Sequence, residues 1–413
     1  MLIHSASQLL TLAGGPQRGS ELGRLGIIED GALLVRGGQI VAAGTTAELH
    51  KMAPGEEEFD AAGRVVMPGF VDAHTHLAWA GDRAAEFELR TQGKTYLEIQ
   101  AAGGGIISTV KATRQASIED LLAQTRLRSQ SIFKHGTTTA EAKTGYGLEL
   151  DSELKLMEVL LELDKEGPLE LAPTFLGAHA IAPEYKDDAE GYTGVVCEEM
   201  LPAVREWWEL YGRGRRLPFV DAFCEVGAFN LAQSRRILET GRELGFPLKL
   251  HADEFENLGG TRMAVELGAI SVDHLVMMAP EDTAALAKST TVAVSLPCTP
   301  FGLAEGYYTP ARAIIDADGL LAVASDLNPG TAWCESMQFV IALACRYLKL
   351  TPAQAIAAVT INGAAAIGRA DTIGSLEPGK QADFLLLNVT DYRQLGYRFG
   401  TNLVEKVFKK GKL

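Results

Sequence analysis

The stretch VMPGFVDAHTHLAWAGDR, residues 66–83, places two histidines two positions apart at the end of an apolar run. In a β-strand, residues i and i+2 point to the same face, so His74 and His76 direct their imidazoles into one space. The carboxyl ends of the strands carry the active site in a parallel barrel, and two converging imidazoles there make half of a metal site. An isolated pair is also consistent with solvated histidines at a strand end. Other residues of the chain are needed to distinguish a metal site from this alternative.

From about residue 67 to residue 369, strand-like apolar segments alternate with amphipathic helical segments. PLKLHADEF, residues 247–255, is typical of the strands, and DSELKLMEVLLELDKEG, residues 151–167, is typical of the helices. This alternation is characteristic of the α/β class and predicts β-α-β units around a parallel sheet, and roughly eight units predict a closed (β/α)8 TIM-like barrel. A doubly wound open sheet is the alternative.

Both ends of the chain consist instead of short strands separated by turns. GALLVRGGQIVAAG, residues 31–44, has two β-rich runs joined by Gly-Gly, which predicts a hairpin. GSLEPGKQADFLLLN, residues 374–388, again combines turn and strand signals. We therefore predict a small composite β-sandwich domain built from residues 1–65 and 371–413, flanking a barrel domain of residues 66–370.

The composition is that of a folded globular protein of enzyme size, with 413 residues of which 47% are hydrophobic and 22% charged. A formal net charge of −15 argues against nucleic acid as a partner. The five cysteines are odd in number and form no C-x-x-C pair, which argues against a disulfide framework and predicts a cytoplasmic location. The N-terminus lacks the basic region of a signal peptide, and no apolar run approaches the ~20 residues that cross a membrane.

Three further segments carry polar residues at the predicted end of a barrel strand. They are LKLHADEF with His251, SVDHL with Asp273 and His274, and AVASDLNPG with Asp326. A single histidine in such a place is more often a hydrogen-bonded structural residue than a metal ligand. Four strand ends with the same feature, one of them bearing His-x-His, instead predict one shared metal site.

Three histidines and a carboxylate suit one divalent metal ion per chain, Zn²⁺ or Fe²⁺, with a coordination position left for water. Water bound to such an ion loses a proton near neutral pH and becomes a nucleophile. The expected reaction class is therefore hydrolysis of a small-molecule substrate.

A series of ordered motifs extends the pattern over nearly the whole chain. They are PGFVDAHTHL, EFELRTQGKTY, GGGIISTVKATR, KTGYGL, GAHA, HADEF, DHL, SDLNPG, ESMQ and GSLEPGKQAD. Together they resemble the amidohydrolase superfamily and, within it, the imidazolonepropionase family of histidine degradation. The resemblance implies the same barrel and small β domain, a homodimer, and hydrolysis of 4-imidazolone-5-propanoate to N-formimidoyl-L-glutamate.

The resemblance also assigns roles to individual residues. It implies that one metal ion is bound by His74, His76, His251 and Asp326. It implies that the substrate is contacted by Arg83, Tyr146, His179, Glu254, Asn328, Gly330 and Thr331. It implies catalytic roles, beside the attacking water or the scissile carbonyl, for Glu254, His274 and Asp326.

The chemistry of Arg83 fits its implied role, because a guanidinium can direct two N–H donors at the propionate carboxylate of the substrate. Glu86 and Glu88 lie near enough in sequence for a surface ion pair to be the alternative interpretation. A carboxylate-binding arginine is what separates this substrate from a neutral base.

Glu254 follows His251 by three residues and is placed to move a proton from water to the leaving nitrogen, with Asp326 as the alternative proton carrier. A carboxylate that merely stabilises a helix N-terminus is the structural alternative for Glu254. His274 can stabilise the developing oxyanion, or it can orient a metal ligand from behind.

Three other features bear on the pocket. Lys143 can be a charge partner inside the barrel or, as in dihydroorotase-like relatives, a carbamylated bridge between two metals; the single-metal resemblance favours the charge partner. The glycine-rich stretch at residues 101–114 is predicted to form a wall over the pocket. Ala332, Trp333 and Cys334 depart from the residues usual in the family.

Two other functions are consistent with parts of this pattern. A deaminase of the same superfamily would use a similar set of metal ligands to act on a heterocyclic base. A catalytically silent barrel would instead be a scaffold that binds other proteins. The retained ligand set argues against the scaffold, and Arg83 with Tyr146 argues against a neutral base as substrate.

Overall fold

The structure, a computed structural model, describes residues 1–94, 98 and 104–413. Within these residues the strands form an eight-stranded parallel sheet and a seven-stranded mixed sheet. In chain order the strands are β1 Leu2–Leu10, β2 Ile27–Arg36, β3 Gln39–Thr45, β4 Glu58–Asp60, β5 Val65–Pro68, β6 Phe70–Asp72, β7 Thr137–Lys143, β8 Glu170–Ala178, β9 Phe219–Cys224, β10 Lys249–Ala252, β11 Ser271–His274, β12 Val292–Ser295, β13 Leu321–Val323, β14 Phe384–Leu387 and β15 Val404–Phe408.

Strands β6 to β13 lie side by side in sequence order, and the residues that follow the first and last of them complete the ring. Thr75 pairs with Leu327 in a parallel bridge, and the His76 amide donates to the Leu327 carbonyl at 2.8 Å. The Asp326 amide donates to the His74 carbonyl at 3.0 Å. The predicted (β/α)8 barrel is confirmed, and its closure brings His-x-His beside Asp326.

The barrel interior is charged beneath the strand ends. Lys143, at the end of β7, is fully buried and donates to Glu141 Oε1 and Asp221 Oδ2, both at 2.7 Å. Buried carboxylates are tolerated only when they are paired and hydrogen-bonded, and this ammonium meets that need. The barrel core is therefore a neutralised ion network on which the strand ends are built.

Helices cover the outside of the barrel. Leu231–Glu243 is representative, because it begins at a capping box between Asn230 and Gln233 and buries Ile237 and Leu238. None of the helices described is long and apolar enough to cross a membrane. The α-helices are Thr46–Met52, Ala84–Thr91, Ile106–Gln115, Ile118–Lys134, Leu150–Glu166, Ala189–Val195, Leu201–Tyr211, Leu231–Glu243, Gly260–Leu267, Pro280–Ala287, Cys298–Gly302, Ala311–Asp316, Met337–Arg346, Pro352–Ala358, Ile361–Ala366 and Gln394–Tyr397, with a π-helical turn at Val196–Met200 and 3-10 turns at Gly19–Glu21 and Pro183–Tyr185.

The mixed sheet combines both ends of the chain, in the order β15-β14-β5-β1-β2-β3, with β4 paired to β1. The predicted hairpin is β2 and β3, whose turn residues Gly37 and Gly38 have φ of +58° and +80°, values that glycine adopts without strain. Strand β5 pairs in parallel with β1 and antiparallel with β14, so the two chain ends share one sheet. The prediction of a small β domain from both termini is confirmed.

An ion pair joins the small domain to the amino end of the barrel. Lys409 Nζ lies 2.8 Å from Glu170 Oε2 and 2.7 Å from Asp383 Oδ2. Burial favours the neutral acid at Glu170, but the charge of Lys409 outweighs it and lowers the pKa of Glu170 to about 2.

Candidate active site

Four side chains predicted to be metal ligands converge at the carboxyl end of the barrel. Nε2 of His76 lies 3.3 Å from Nε2 of His74 and 3.4 Å from Nε2 of His251. Asp326 Oδ1 lies 3.4 Å from His74 Nε2 and 3.5 Å from His76 Nε2. All four residues are buried, and they lie in the fifth strand of the ring or just after the first and last strands.

The spacing of these donor atoms fits a single divalent ion. Zinc binds imidazole nitrogen at about 2.0–2.1 Å, so two ligands at a tetrahedral angle lie about 3.4 Å apart. Asp326 Oδ1 is buried with no hydrogen-bond partner among the described residues, while Oδ2 accepts from Thr299 Oγ1 at 2.5 Å. A buried oxygen facing imidazole nitrogens, with no donor for it, is suited to a cation, and the donor set fits the expected metal.

Buried carboxylates lie behind two of the imidazoles. Asp273 Oδ2 is 2.6 Å from His74 Nδ1, and Asp221 Oδ2 is 2.9 Å from His251 Nδ1, the latter an ion-pair distance outside hydrogen-bond geometry. Lys143 Nζ is 2.7 Å from Asp221 and 3.7 Å from Asp273, so one ammonium serves both carboxylates. These contacts support the charge-partner interpretation of Lys143 over carbamylation. They also leave both Nε2 atoms for a ligand on the cavity side.

The protonation states favour metal binding. Burial lowers the pKa of His76 and of His251, so both imidazoles are neutral at neutral pH. Burial alone would raise the pKa of Asp326, but the neighbouring imidazoles of His74 and His76 hold it well below its usual range. Neutral imidazoles and an ionised carboxylate are the forms that bind a metal.

The predicted substrate-binding residues line one cavity of about 650 Å³ above this cluster. Its walls include two of the ligand imidazoles, the Asp326 carboxylate, and every residue to which the resemblance assigned a substrate or catalytic role. These residues are His76, Arg83, Tyr146, His179, His251, Glu254, His274, Asp326, Asn328, Gly330 and Thr331. His74 lies in the cluster beneath the cavity and is fully buried.

Arg83 lies on the cavity wall and is held from behind by Glu86. Its Nε donates to Glu86 Oε2 at 2.8 Å, and both side chains are largely buried. The other Glu86 oxygen accepts from the Gly105 amide and from Ser108 Oγ, each at 3.0 Å. The guanidinium packs so closely on Gly330 that a Cβ there would clash with it. The ion pair considered from the sequence is therefore real, but it lies within the pocket wall.

Tyr146 is carried by the loop that follows β7. Buried Glu153, from helix Leu150–Glu166, ties this loop down by accepting three backbone N–H groups. The donors are Gly145 at 3.0 Å, Gly147 at 2.7 Å and Leu148 at 2.8 Å. The tyrosine ring is therefore presented by a fixed loop.

His179 stacks on the imidazole of His76, one of the predicted metal ligands. Its ring centroid lies 4.6 Å from that of His76 with an interplanar angle of 16°. Nδ1 of His179 is 3.0 Å from the Gly145 carbonyl, which can only accept, so Nδ1 carries the proton. Burial lowers the pKa of His179 well below its usual range, and its Nε2 is left as an acceptor toward the cavity.

Asn328 shapes the loop after β13. Its Nδ2 donates to the Asp326 carbonyl at 2.7 Å, and its Oδ1 accepts from the amides of Gly330 and Thr331, both at 2.8 Å. The side chain therefore holds the segment that the resemblance places against the substrate.

Glu254 and His274 face each other across the cavity floor. His274 Nδ1 lies 3.5 Å from Glu254 Oε2, and His274 adopts a left-handed backbone with φ of +83°. Burial raises the pKa of Glu254 well above its usual value, and the charges of Asp326 and Glu225 act in the same direction. Burial lowers the pKa of His274 to about 3, so its imidazole is neutral. A carboxyl that gains and loses a proton closer to neutral pH is suited to acid-base work.

The family departures lie on a neighbouring cavity of about 680 Å³ that shares Arg83, Gly330 and Thr331 with the first. Ala332, Trp333 and Cys334 line it, and the Trp333 indole donates to Glu335 Oε1 at 2.9 Å. The predicted glycine-rich wall is described only from residue 104 onward, and residues 101–103 lie outside the described residues.

The sequence did not identify several residues that position the site. No motif marks Asp221, Glu153 or Thr299. Asp221 is 30 residues from its partner His251, and Thr299 is 27 residues from Asp326. Glu153 is 5 to 8 residues from the backbone amides that it accepts. Glu86 was noticed only as a surface partner of Arg83, although its spacing of three residues on a helix is a usable signal.

Comparisons with known proteins place the chain in a family. Residues 65–413 match the amidohydrolase family. An imidazolonepropionase of Herpetosiphon aurantiacus is 53% identical over 412 residues, covering 100% of this chain and 96% of that protein. An imidazolonepropionase of Chloroflexus aggregans is 48% identical, covering 100% of this chain and 98% of that protein.

Solved structures show the same fold at much lower identity. Guanine deaminase of E. coli superposes with a TM-score of 0.72 at 17% identity, covering 100% of this chain and 98% of that one. A zinc-bound adenosine deaminase of Xanthomonas campestris superposes with a TM-score of 0.70 at 20% identity, covering 100% of this chain and 92% of that one. At this identity the likeness shows the fold alone. The full-length curated relatives decide the family: the chain belongs to the amidohydrolases and, within them, to the imidazolonepropionases.

Proposed function

We propose that the chain hydrolyses 4-imidazolone-5-propanoate to N-formimidoyl-L-glutamate in histidine degradation, adding water across a ring C–N bond. The observation that carries this proposal is a single cavity in which Arg83 faces the cluster of His76, His251 and Asp326. A carboxylate-binding group and a water-activating centre on one small cavity match a ring with a propionate tail. The full-length curated relatives support the same reaction.

His74, His76, His251 and Asp326 would hold the metal ion, Zn²⁺ or Fe²⁺. When bound, a divalent ion supplies Lewis acidity that makes water nucleophilic near neutral pH. The neutral imidazoles of His76 and His251 and the ionised carboxylate of Asp326 are the forms that such an ion requires.

Arg83 binds the propionate carboxylate. Glu86 accepts from Nε of Arg83, so the terminal nitrogens remain available to donate two parallel hydrogen bonds into the cavity. Tyr146 adds its hydroxyl, and His179 offers Nε2 as an acceptor for an N–H of the ring. These contacts orient the ring carbonyl toward the cluster and exclude water from the tail.

Glu254 carries the proton. Its carboxylate takes a proton from the attacking water while the water oxygen bonds to the ring carbonyl carbon. The oxyanion formed on that carbonyl lies beside His274, and the proton then passes from Glu254 to the ring nitrogen as the C–N bond breaks. One water is consumed, the former ring carbonyl becomes a carboxylate, and the freed nitrogen becomes the terminal nitrogen of the formimidoyl group, so the atoms balance. Asp326 is the alternative carrier of the same proton.

A deaminase reaction is the second candidate for this fold, but the cavity argues against it. The terminal nitrogens of Arg83, which Glu86 leaves to the cavity, would meet no carboxylate on a neutral heterocycle. We further propose that the enzyme acts in the cytoplasm, which the free cysteines favour. We also propose that it forms a homodimer, as the family resemblance implies.

The test compares Arg83→Ala with the parent enzyme on the propionate substrate and on the same ring without its tail. We expect KM on the propionate substrate to rise by about 10- to 100-fold, since hydrogen bonds to charged groups contribute about 1.5–3 kcal/mol, and we expect little change on the tail-less ring. Equal losses on both substrates would contradict a carboxylate clamp. Arg83→Lys, which keeps the charge but not the fork, should recover only part of the loss.

A further inference from the structure

A second group of metal-ligating side chains lies on the small domain, apart from the barrel cavity. His4 is in β1, His50 is in the last turn of helix Thr46–Met52, and Glu58 is in β4. One ligand atom from each can be chosen so that all three lie within 4.8 Å of one another. We propose that His4, His50 and Glu58 bind a second divalent transition-metal ion of the borderline class, such as Zn²⁺.

The strand register places the strand residues of the group on one face. Strands β1 and β4 are parallel, with Leu2 opposite Glu58 and His4 opposite Asp60. Residues two apart share a face, so His4, Glu58 and Asp60 project to the same side of the sheet. The helix carrying His50 packs over that side, and the group therefore joins three separate elements.

The tautomer of His50 is set for metal binding. Its Nδ1 lies 2.8 Å from the Thr46 carbonyl, which can only accept, so Nδ1 carries the proton. Nε2 then presents a lone pair, and it lies 3.2 Å from Glu58 Oε1. Metal-binding imidazoles in proteins commonly donate their other nitrogen to a backbone carbonyl in this way.

His4 completes the arrangement from the opposite side. Its ring centroid is 5.1 Å from that of His50, and its Nε2 is 3.9 Å from Glu58 Oε2. The two oxygens of one carboxylate are thus each approached by an imidazole nitrogen. Asp60 Oδ1 lies 4.0 Å from the other ring nitrogen of His4, Nδ1, and therefore borders the imidazole on its far side.

A simple ion pair accounts for only part of this geometry. If both imidazoles were protonated, two positive rings with centroids about 5 Å apart would repel each other. If both were neutral, the Nε2 lone pair of His50 would face the negative Glu58 carboxylate without a proton between them. A divalent ion removes both conflicts, since it attracts each of the three donors and requires neutral imidazole.

The donor set selects the class of ion. Two imidazole nitrogens and a carboxylate suit Zn²⁺, with water in the remaining position, and are too nitrogen-rich for Ca²⁺ or Mg²⁺. The side chains of His4 and His50 are 16% and 40% exposed, so an ion can enter from solvent. Bound there, it would fix the helix and β4 to β1. This inference does not depend on the reaction proposed for the barrel.

The test counts zinc ions. Purified full-length protein, stripped with a chelator and refilled with Zn²⁺, is passed through gel filtration and its zinc per chain is measured by mass spectrometry. We expect two ions per chain for the parent protein and one for His50→Gln. His135→Gln is the matched control, because Nδ1 of His135 also lies against the carbonyl four residues earlier, at 2.9 Å, but no such cluster of the described residues includes it.

The His135→Gln variant should retain both ions. Glu58→Gln provides an independent second variant, and it should also bind one. His251→Ala, which alters the barrel cluster, should lose the other ion and keep the small-domain ion. One ion per chain in the parent protein, or two in both His50→Gln and Glu58→Gln, would overturn the inference. Unfolding measured by fluorescence should shift to higher temperature with added Zn²⁺ in His251→Ala and not in the His50→Gln, His251→Ala double variant.

Discussion

Asp273 Oδ2 lies 2.6 Å from His74 Nδ1, and both side chains are fully buried. The carboxylate fixes the imidazole with its proton on Nδ1 and its lone pair toward His76 and Asp326. Asp273→Asn keeps the shape but removes the charge. We expect metal affinity to fall about 10- to 100-fold, as is usual when the partner of a ligand histidine is lost.

Competition with a fluorescent zinc chelator measures this affinity directly. Asp253→Asn is the control, since Asp253 is a buried carboxylate after β10 that bonds to Thr261 Oγ1 at 2.6 Å. Unchanged metal affinity in Asp273→Asn would show that the contact does not orient the ligand.

Glu254→Gln tests the proton carrier. General acid-base groups contribute about 10²- to 10⁴-fold, so we expect kcat to fall by that factor while zinc content stays the same. Because burial raises the pKa of Glu254, the parent enzyme should lose activity as the pH falls through that raised pKa and the carboxylate is protonated. The pH profile of kcat/KM, recorded for both proteins, should lose this acidic limb in the variant. An intact limb in Glu254→Gln would favour Asp326 as the carrier.

Glu86→Gln tests how the carboxylate clamp is held. Glu86 connects Arg83 to Gly105 and Ser108, so the amide should leave Arg83 in more than one orientation. We expect KM for the propionate substrate to rise about 10-fold, the equivalent of ~1.4 kcal/mol, with kcat changed much less. Glu88→Gln, an exposed residue on the same helix, is the control and should leave KM unchanged. A loss in kcat alone would contradict a role in holding Arg83.

Glu170→Gln tests the junction between the two domains. The pKa of Glu170 is depressed to about 2, so its pairing with Lys409 stabilises the fold above the unfolded pKa near ~4.3, and this contribution is lost as the pH falls toward about 2. At pH 7 we expect the variant to be about 1–3 kcal/mol less stable, and the difference should shrink as the pH is lowered from ~4.5.

Urea unfolding at several pH values measures this difference. Glu405→Gln is the control, because the Glu405 side chain is 30% exposed, close to the 28% of Glu170, and pairs with Arg64 alone. This substitution should lower the free energy of unfolding by less than about 1 kcal/mol. A pH-independent difference for Glu170→Gln would contradict an electrostatic origin.

The barrel and the convergence of the four candidate metal ligands could be predicted because their signals are local. A polar residue at the end of an apolar strand is visible in the sequence, and parallel strands bring all such ends to one edge. His74, His76, His251 and Asp326 meet in the structure for that reason, although their roles stay proposals. The hairpin around Gly37 and Gly38 could be predicted equally well, because only glycine adopts positive φ angles freely.

The residues behind the site could not be predicted, because nothing in the sequence states which strands are neighbours at which register. Asp221 and Lys143 meet 78 residues apart only once the barrel has formed. Glu153 supports the loop of Tyr146 through backbone donors, which leave no trace in side-chain patterns. The reactive residues of the site can thus be predicted from the strand ends, whereas the residues that support them are recognised only in the folded structure.

Turnover of 4-imidazolone-5-propanoate is the decisive test of the proposed hydrolysis. Metal-quantified enzyme is mixed with fresh substrate, and loss of the ring absorbance is followed together with formation of N-formimidoyl-L-glutamate. We expect one product per ring opened, and we expect His251→Ala to lose both this turnover and the barrel metal ion. No product from the metal-loaded parent enzyme, or undiminished turnover in His251→Ala, would contradict it.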